Sequence, residues 1–555
     1  LYDYYGGEVC EIPENLNIMY LDEECFQYNT KLKRVVFPST LTEIPKNAFK
    51  GCTNLEEIVI PGQCIVVGES AFENCTKLKT VEFGPFVDRD KEELPGFMGT
   101  ITLARNAFRG CTSLSEIKNQ ARMTAIHERT FENCTSLTSL DLTELRYAGA
   151  YAFAGCTSLT DLTLGAHTAV GAYMFSGCTA LQTVQYPMNT LAKGTFANCT
   201  RLASIEFTSG DFTGIGDYAL SNTRLSNVTL PTGSYAIGES AFASNIALRR
   251  VTLARGTNLT SLGMTPFADC RNFIGYEVAS DNPLFSAADG VLYNKEMTRL
   301  IAVPPAKSAF TVPATVREIA DGAFAGATNL TTIDLTGYTF VGAYAFAGSA
   351  LETVTLPTGM KALPEGIFSG CRKLATVNGT AGLTSVGAKA FLGCRALTSV
   401  ALDAVTTIGD SAFRESGIRA LAAPSLTTVG DSAFNKCASL TTVTAPALAS
   451  IGESAFLSAS SLTDVTLGGV TRMGSGVFMN CDKLANVTFG DGTTLVGEYA
   501  FFSSSARTNL TNVTLPGSVK TIGDFAFANA TAVPSLNLSG VTSIGKYAFY
   551  NCRSL

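Results

Sequence analysis

Apolar and polar positions along this chain follow a pattern that restarts about every 22 residues. Leu137, Leu140 and Leu142 are followed by Gly149, Phe153 and Cys156, and then Leu159, Leu162 and Leu164 by Gly171, Phe175 and Cys178. The last two leucines of each set alternate with polar residues, which predicts a strand with one buried face. Proline often closes that strand, as at Pro187, Pro231, Pro357 and Pro516, because it lacks the N–H that a ladder needs. The Gly-x-x-Ala-Phe-x-x-Cys segment that follows is too short for a long helix and reads as a tight turn with at most one helical or 3₁₀ turn.

The phenylalanine marks the phase from Phe26 to Phe549, with Leu220 in its place once. Most markers lie 21 to 26 residues apart, with longer gaps of 36 from Phe72 to Phe108 and 57 from Phe267 to Phe324. The first gap holds an inserted loop at about 85–98, whose run from Asp88 to Glu93 reads as solvated. The second, at about 279–309, carries Asp281-Asn282-Pro283, Val291-Leu292-Tyr293, a polar turn from Asn294 to Glu296, and Leu300-Ile301-Ala302-Val303. That pattern predicts a β-hairpin, which either contacts a partner or braces the stack. Phe310 and Val312 then resume the core strand.

Units this small cannot bury their own apolar face, so a fixed period implies a stack that shares one interior. The expected fold is a leucine-rich-repeat solenoid: a right-handed curved stack of about 22 units, with one parallel sheet face and short helical or 3₁₀ turns and loops opposite. Residues 1–555 are expected to form a single continuous rod, about 100 Å long at about 4.8 Å per strand. The sequence starts at Leu1 and stops six residues after Phe549, where another strand is due, so both ends read as cut.

Charge narrows the function classes. Only 16% of residues are charged and the net charge is −7, so the basic stripe of a nucleic-acid reader is missing. No run of 18 apolar residues exists to span a membrane. Thirteen of the sixteen cysteines sit three places after the marker, while other units put Ala327, Ser349, Asn245 or Ser416 there. The slot therefore reads as small and buried, filled by free thiols. A Cys10–Cys25 bridge stays open as an alternative.

Paired C-x-x-C ligands for zinc are lacking, and neither metal nor cofactor is expected. His127 and His167 read as structural or surface residues. The run from Gly214 to Ala219 fits a dinucleotide fingerprint only formally, since it is one more copy of the repeat turn. Adjacent carboxylates such as Glu56 and Glu57 cannot face each other across a substrate. These readings together argue against an enzyme.

The outward position between the two core residues of each strand forms a column: Asp141, Thr163, Glu206, Thr229, Thr252, Asp334, Thr355, Thr444, Thr466, Thr488 and Thr514. A solenoid's sheet face is its usual binding surface, although threonine also simply suits a solvent-facing strand. Aromatic platforms for sugars are scarce there, which favours protein ligands over glycans.

The unit from Gly393-Cys394-Arg395-Ala396-Leu397 to Ala412-Phe413 resembles the BspA-like family of leucine-rich repeats, as does the insertion from Asp281-Asn282-Pro283 to Tyr293-Asn294-Lys295. The resemblance implies a secreted or surface protein of the kind found in oral and gut bacteria and mucosal protists, where members are implicated in adhesion, coaggregation and binding of host matrix proteins. The expectation is thus a monomeric, non-catalytic recognition protein, extracellular or at the cell surface. Its alternatives are a surface glycan-capture protein, or the targeting arm of a larger enzyme whose catalytic domain lies outside this segment.

Overall fold

The computed structural model describes residues 7–85, 99–166, 169–505 and 508–555, so the run from Asp88 to Glu93 and His167 lie outside the described residues. The chain is a parallel β-solenoid of about 23 turns. Two compact units, Leu1–Ser286 and Ala287–Leu555, divide it within the longer insertion.

Most coils carry two strands where the sequence pattern shows one. In the first unit the strands that matter below are β1 (Ser139–Leu142), β2 (Tyr147–Ala148), β3 (Asp161–Leu164), β4 (Ala169–Val170), β5 (Thr183–Tyr186), β6 (Thr190–Leu191) and β7 (Ser204–Phe207). In the second they are β8 (Val291–Asn294), β9 (Arg299–Ala302), β10 (Thr442–Ala445), β11 (Asp464–Leu467), β12 (Asn486–Thr488) and β13 (Asn512–Thr514). The four-residue strands are those foreseen: β1 pairs in parallel with β3, Ser139 opposite Asp161 and Leu142 opposite Leu164. Burial alternates along β1, with Ser139 and Asp141 exposed and Leu140 and Leu142 buried. The two-residue strands form a second parallel ladder, as where β2 pairs with β4. One outward and one inward residue are too few to show a period.

The marker rings form a column through the core. Phe108, Phe131, Phe153 and Phe175 stack face to face, with centroids 5.2, 5.3 and 5.7 Å apart in succession. In the second unit Phe413, Phe434 and Phe456 repeat this at 5.1 Å. The coil spacing thus falls inside the favourable range for offset aromatic pairs.

The Ala-Phe-x-x-Cys segment forms no helix. Among the described residues the only helical pieces are two 3₁₀ turns, Glu14–Leu16 and Gln120–Arg122. Two positions in nearly every turn are left-handed, as Tyr151 (φ 59°) and Gly155 (φ 75°) are around Phe153. The hydrogen bonds consequently alternate. Tyr151, Phe153 and Gly155 donate across to the carbonyls of Ala172, Met174 and Ser176 at 2.9, 2.9 and 2.7 Å, while Ala154 and Cys156 donate within the coil to Tyr151 and Phe153. Half of the turn's N–H groups therefore stitch coils together. Gly149 serves a different need: a Cβ there would stand 2.4 Å from the Glu128 nitrogen and 2.5 Å from the His127 carbonyl carbon.

The longer insertion contains the hairpin. β8 and β9 are antiparallel, and β9 then pairs in parallel with Glu318–Ile319, so the hairpin is sewn into the ladder. Val291, Leu292 and Tyr293 are fully buried.

Candidate binding face

The outward column is realised within each unit. Asp141 stands opposite Thr163, Glu206 opposite Gln185, and Thr252 lies between Thr229 and Glu277. In the second unit Thr355 lies between Asp334 and Asn378, and Thr444, Thr466, Thr488 and Thr514 run through β10 to β13 as consecutive rungs. All are exposed except Thr252 and Thr355, which are half-buried.

Beside this hydroxyl column runs a second one, Thr442, Asp464, Asn486 and Asn512. From Asp464 onward its side chains satisfy one another: the Asn486 amide donates to Asp464 Oδ1, and the Asn512 amide to Asn486 Oδ1, both at 2.7 Å. Hydrogen bonds from Thr463 and Asn486 hold the Asp464 carboxyl below its usual pKa. Among the described residues, the hydroxyls of Thr444, Thr466, Thr488 and Thr514 have no side-chain partner. The face thus pairs a self-satisfied row with a row free to bond outward.

Sequence reasoning missed how the column begins. The equivalent positions of earlier coils, Lys118, Glu82 and Val59, pair in register with one another in a separate sheet, and Val59 is 52% exposed. With Val36, Arg34 and Glu57, Val59 lines a groove of about 520 Å³. Val59, Glu82 and Lys118 lie ten places after Phe49, Phe72 and Phe108, so the spacing carries them, but none of the three is a threonine.

The repeat unit settles the family. Six segments, residues 6–92, 93–193, 187–285, 306–419, 384–508 and 506–555, match the BspA type leucine rich repeat region. The chain belongs to the BspA type leucine rich repeat family. Among solved structures it is similar in fold to a leucine-rich repeat protein from Bacteroides ovatus, at 17% identity over 92% of both chains with a TM-score of 0.37. A leucine rich cell surface protein from Faecalibacterium prausnitzii is 19% identical, covering 84% of this chain and 89% of that one, with a TM-score of 0.31. One from Eubacterium ventriosum is 21% identical over 78% and 84%, with a TM-score of 0.32. No curated protein matches in sequence at a significant level.

The cysteines of these BspA type repeats are bonded as donors. Cys156 Sγ donates to the Phe131 carbonyl at 3.4 Å, Cys178 to Phe153 at 3.4 Å and Cys371 to Phe346 at 2.9 Å. Where the next coil has cysteine, the marker carbonyl so takes one N–H from its own coil and one S–H from the next, as Phe153 does from Cys156 and Cys178. Burial pushes the thiols of Cys52 and Cys156 up to about 12, which leaves almost no reactive thiolate near neutrality. Asn245 shows that polarity is tolerated when satisfied: its amide donates to Leu220 and Phe242 and its oxygen accepts from the Thr223 N–H. All sixteen thiols are free, Cys10 and Cys25 included.

The remaining candidate residues of these repeats have local partners. Among the described residues no group of three or more His, Cys, Asp or Glu is placed to hold a metal ion, and no helix is long and apolar enough to cross a membrane. Glu56 and Glu57 pair separately, with Lys79 at 3.4 Å and Arg34 at 3.2 Å. Gly216 of the fingerprint-like run is a coil contact, since a Cβ would stand 2.6 Å from the Lys193 nitrogen. His127 lies against the Tyr147 ring at 5.6 Å.

Proposed function

We propose that the protein is a non-catalytic recognition protein, secreted or held at a cell surface, that binds protein ligands such as host matrix proteins through its outward strand column. The observation that carries this is the run of Thr444, Thr466, Thr488 and Thr514. These exposed hydroxyls stand in register on neighbouring strands and leave their bonding capacity to a ligand. Each contact is weak, and repetition supplies avidity. Membership of a BspA type repeat family supports a role in protein interaction. No column residue is aromatic, which favours protein over sugar.

The test is binding of the purified chain to immobilised extracellular-matrix proteins, with a glycan array alongside. Saturable binding to a matrix protein is expected. Saturable glycan binding with no protein partner would replace this reading by glycan capture.

A further inference from the structure

Asn378 is the one asparagine of this sequence that glycine follows. It closes the three-residue strand Thr376–Asn378, where it takes the outward position opposite Thr355. Its side chain is exposed, and among the described residues its amide has no hydrogen-bond partner. Asn486 and Asn512, on neighbouring strands of the second unit, are held differently. Their amides donate to Asp464 and Asn486, and valine follows each of them.

The backbone beside Asn378 is equally free. The Leu356 N–H donates to the Asn378 carbonyl at 3.0 Å, so in the parallel pattern Asn378 is the residue bonded to the partner strand and the Gly379 N–H points away from it. Among the described residues that N–H has no acceptor. The strand is the last of its three-stranded sheet, and the next coil carries no strand between Ser385–Val386 and Thr407–Ile408. Gly379 stands at φ +83° and has no Cβ to shield its nitrogen. The segment is thus held along one side only, and local fraying is enough to release it.

A nucleophilic nitrogen, a free side-chain amide and room to move therefore meet at one peptide bond, where an intramolecular attack profits from proximity. We infer that Asn378 is a site of spontaneous deamidation in the folded protein. The Gly379 nitrogen attacks Cγ of Asn378 and yields its proton to hydroxide. The new C–N bond closes a five-membered imide, and the Cγ–Nδ2 bond breaks to release ammonia, which takes its third proton from water. Water then opens the imide at either carbonyl. Attack at Cγ breaks the new bond and leaves aspartate; attack at the main-chain carbonyl breaks the old peptide bond and leaves isoaspartate, with the chain running through the former side chain. Either product puts a carboxylate beside Thr355 in the column that Asp334 already shares. The reaction does not depend on what the face binds.

The test uses the whole folded chain, held at pH 8 and 37 °C in water enriched in oxygen-18. Its asparagine peptides are then read by mass spectrometry with electron-transfer fragmentation, which separates isoaspartate from aspartate. The peptide with Asn378 is expected to take up oxygen-18 and to contain isoaspartate, at least about tenfold faster than the peptides with Asn227, Asn486 or Asn512. The rate is expected to fall at pH 7, because hydroxide takes the Gly379 proton. Asn378→Thr is expected to lose this isoaspartate and leave the other peptides unchanged. No change at Asn378, or a rate no higher than at the three other asparagines, would overturn the inference. So would aspartate without isoaspartate, or a product that forms only when denaturant has unfolded the chain.

Discussion

Cys156 illustrates how a single residue is held by the repeat. Its thiol is fully buried and raised by that burial to about 12, against about 8.5 when unfolded. Between those values the unfolded chain loses a proton that the folded chain keeps, so folding stability is complete below about pH 8.5 and falls as pH rises. Each such thiol withdraws about 1.4 kcal/mol per pH unit in that window. The thermal midpoint is therefore expected to fall steeply above about pH 9, and less steeply when Cys134, Cys156 and Cys178 are all alanine; a flat profile from pH 8 to 11 would contradict this. Gly149→Ala is expected to destabilise by about 2 kcal/mol or more, since the new Cβ meets backbone and not a movable side chain. Phe153→Ala, which opens the ring column, is expected to cost about 3–5 kcal/mol in denaturant unfolding. The phenylalanine and cysteine columns were plain in the sequence because they recur in phase. The reason for the glycine was not, because close approach to the preceding coil leaves no trace in a single unit.

At the scale of elements, the two insertions show what periodicity can and cannot announce. The hairpin was legible from two apolar runs around a polar turn, and β8 and β9 are there. What braces the insertion is Asn282, fully buried. Its amide donates to Ala254 and Thr257, and its oxygen accepts from the Leu284 and Phe285 N–H groups. Asn282→Ala is expected to cost about 2–4 kcal/mol, because it strands several buried main-chain groups. The shorter insertion depends on Arg122, which is 2% exposed. Its guanidinium donates to the carbonyls of Gly84 and Gly99, on either side of the inserted segment, and of Gly62 and Cys64, at 2.7, 2.8, 2.8 and 3.1 Å. Burial lowers its pKa. Arg122→Met is expected to destabilise by about 3 kcal/mol or more, with the exchange protection of residues 62–64 and 99–103 lost first. Nothing in the sequence distinguished Arg122 from a solvated arginine, because its partners come from coils distant in the chain. The second ladder was equally hidden, because two residues per coil, one outward and one inward, show no period.

For the whole molecule, repetition turns a residue preference into a surface. Threonine at one outward strand position means little, but four on consecutive strands from β10 to β13 make a row on which weak contacts add. The column was readable from spacing alone; its division of labour, with Asp464, Asn486 and Asn512 bonded to one another and the threonines left free, needed the geometry. The most direct measurement is affinity for an immobilised matrix protein as Thr444, Thr466 and Thr488 are replaced by lysine one after another. A parallel series, Thr407, Thr428 and Thr521 to lysine, places the same charges at exposed positions of the short ladder. Affinity is expected to fall several-fold at each step of the first series, by at least about 100-fold in all, and to hold in the second. Equal affinity in both series, or loss in the second alone, would contradict binding through the strand column.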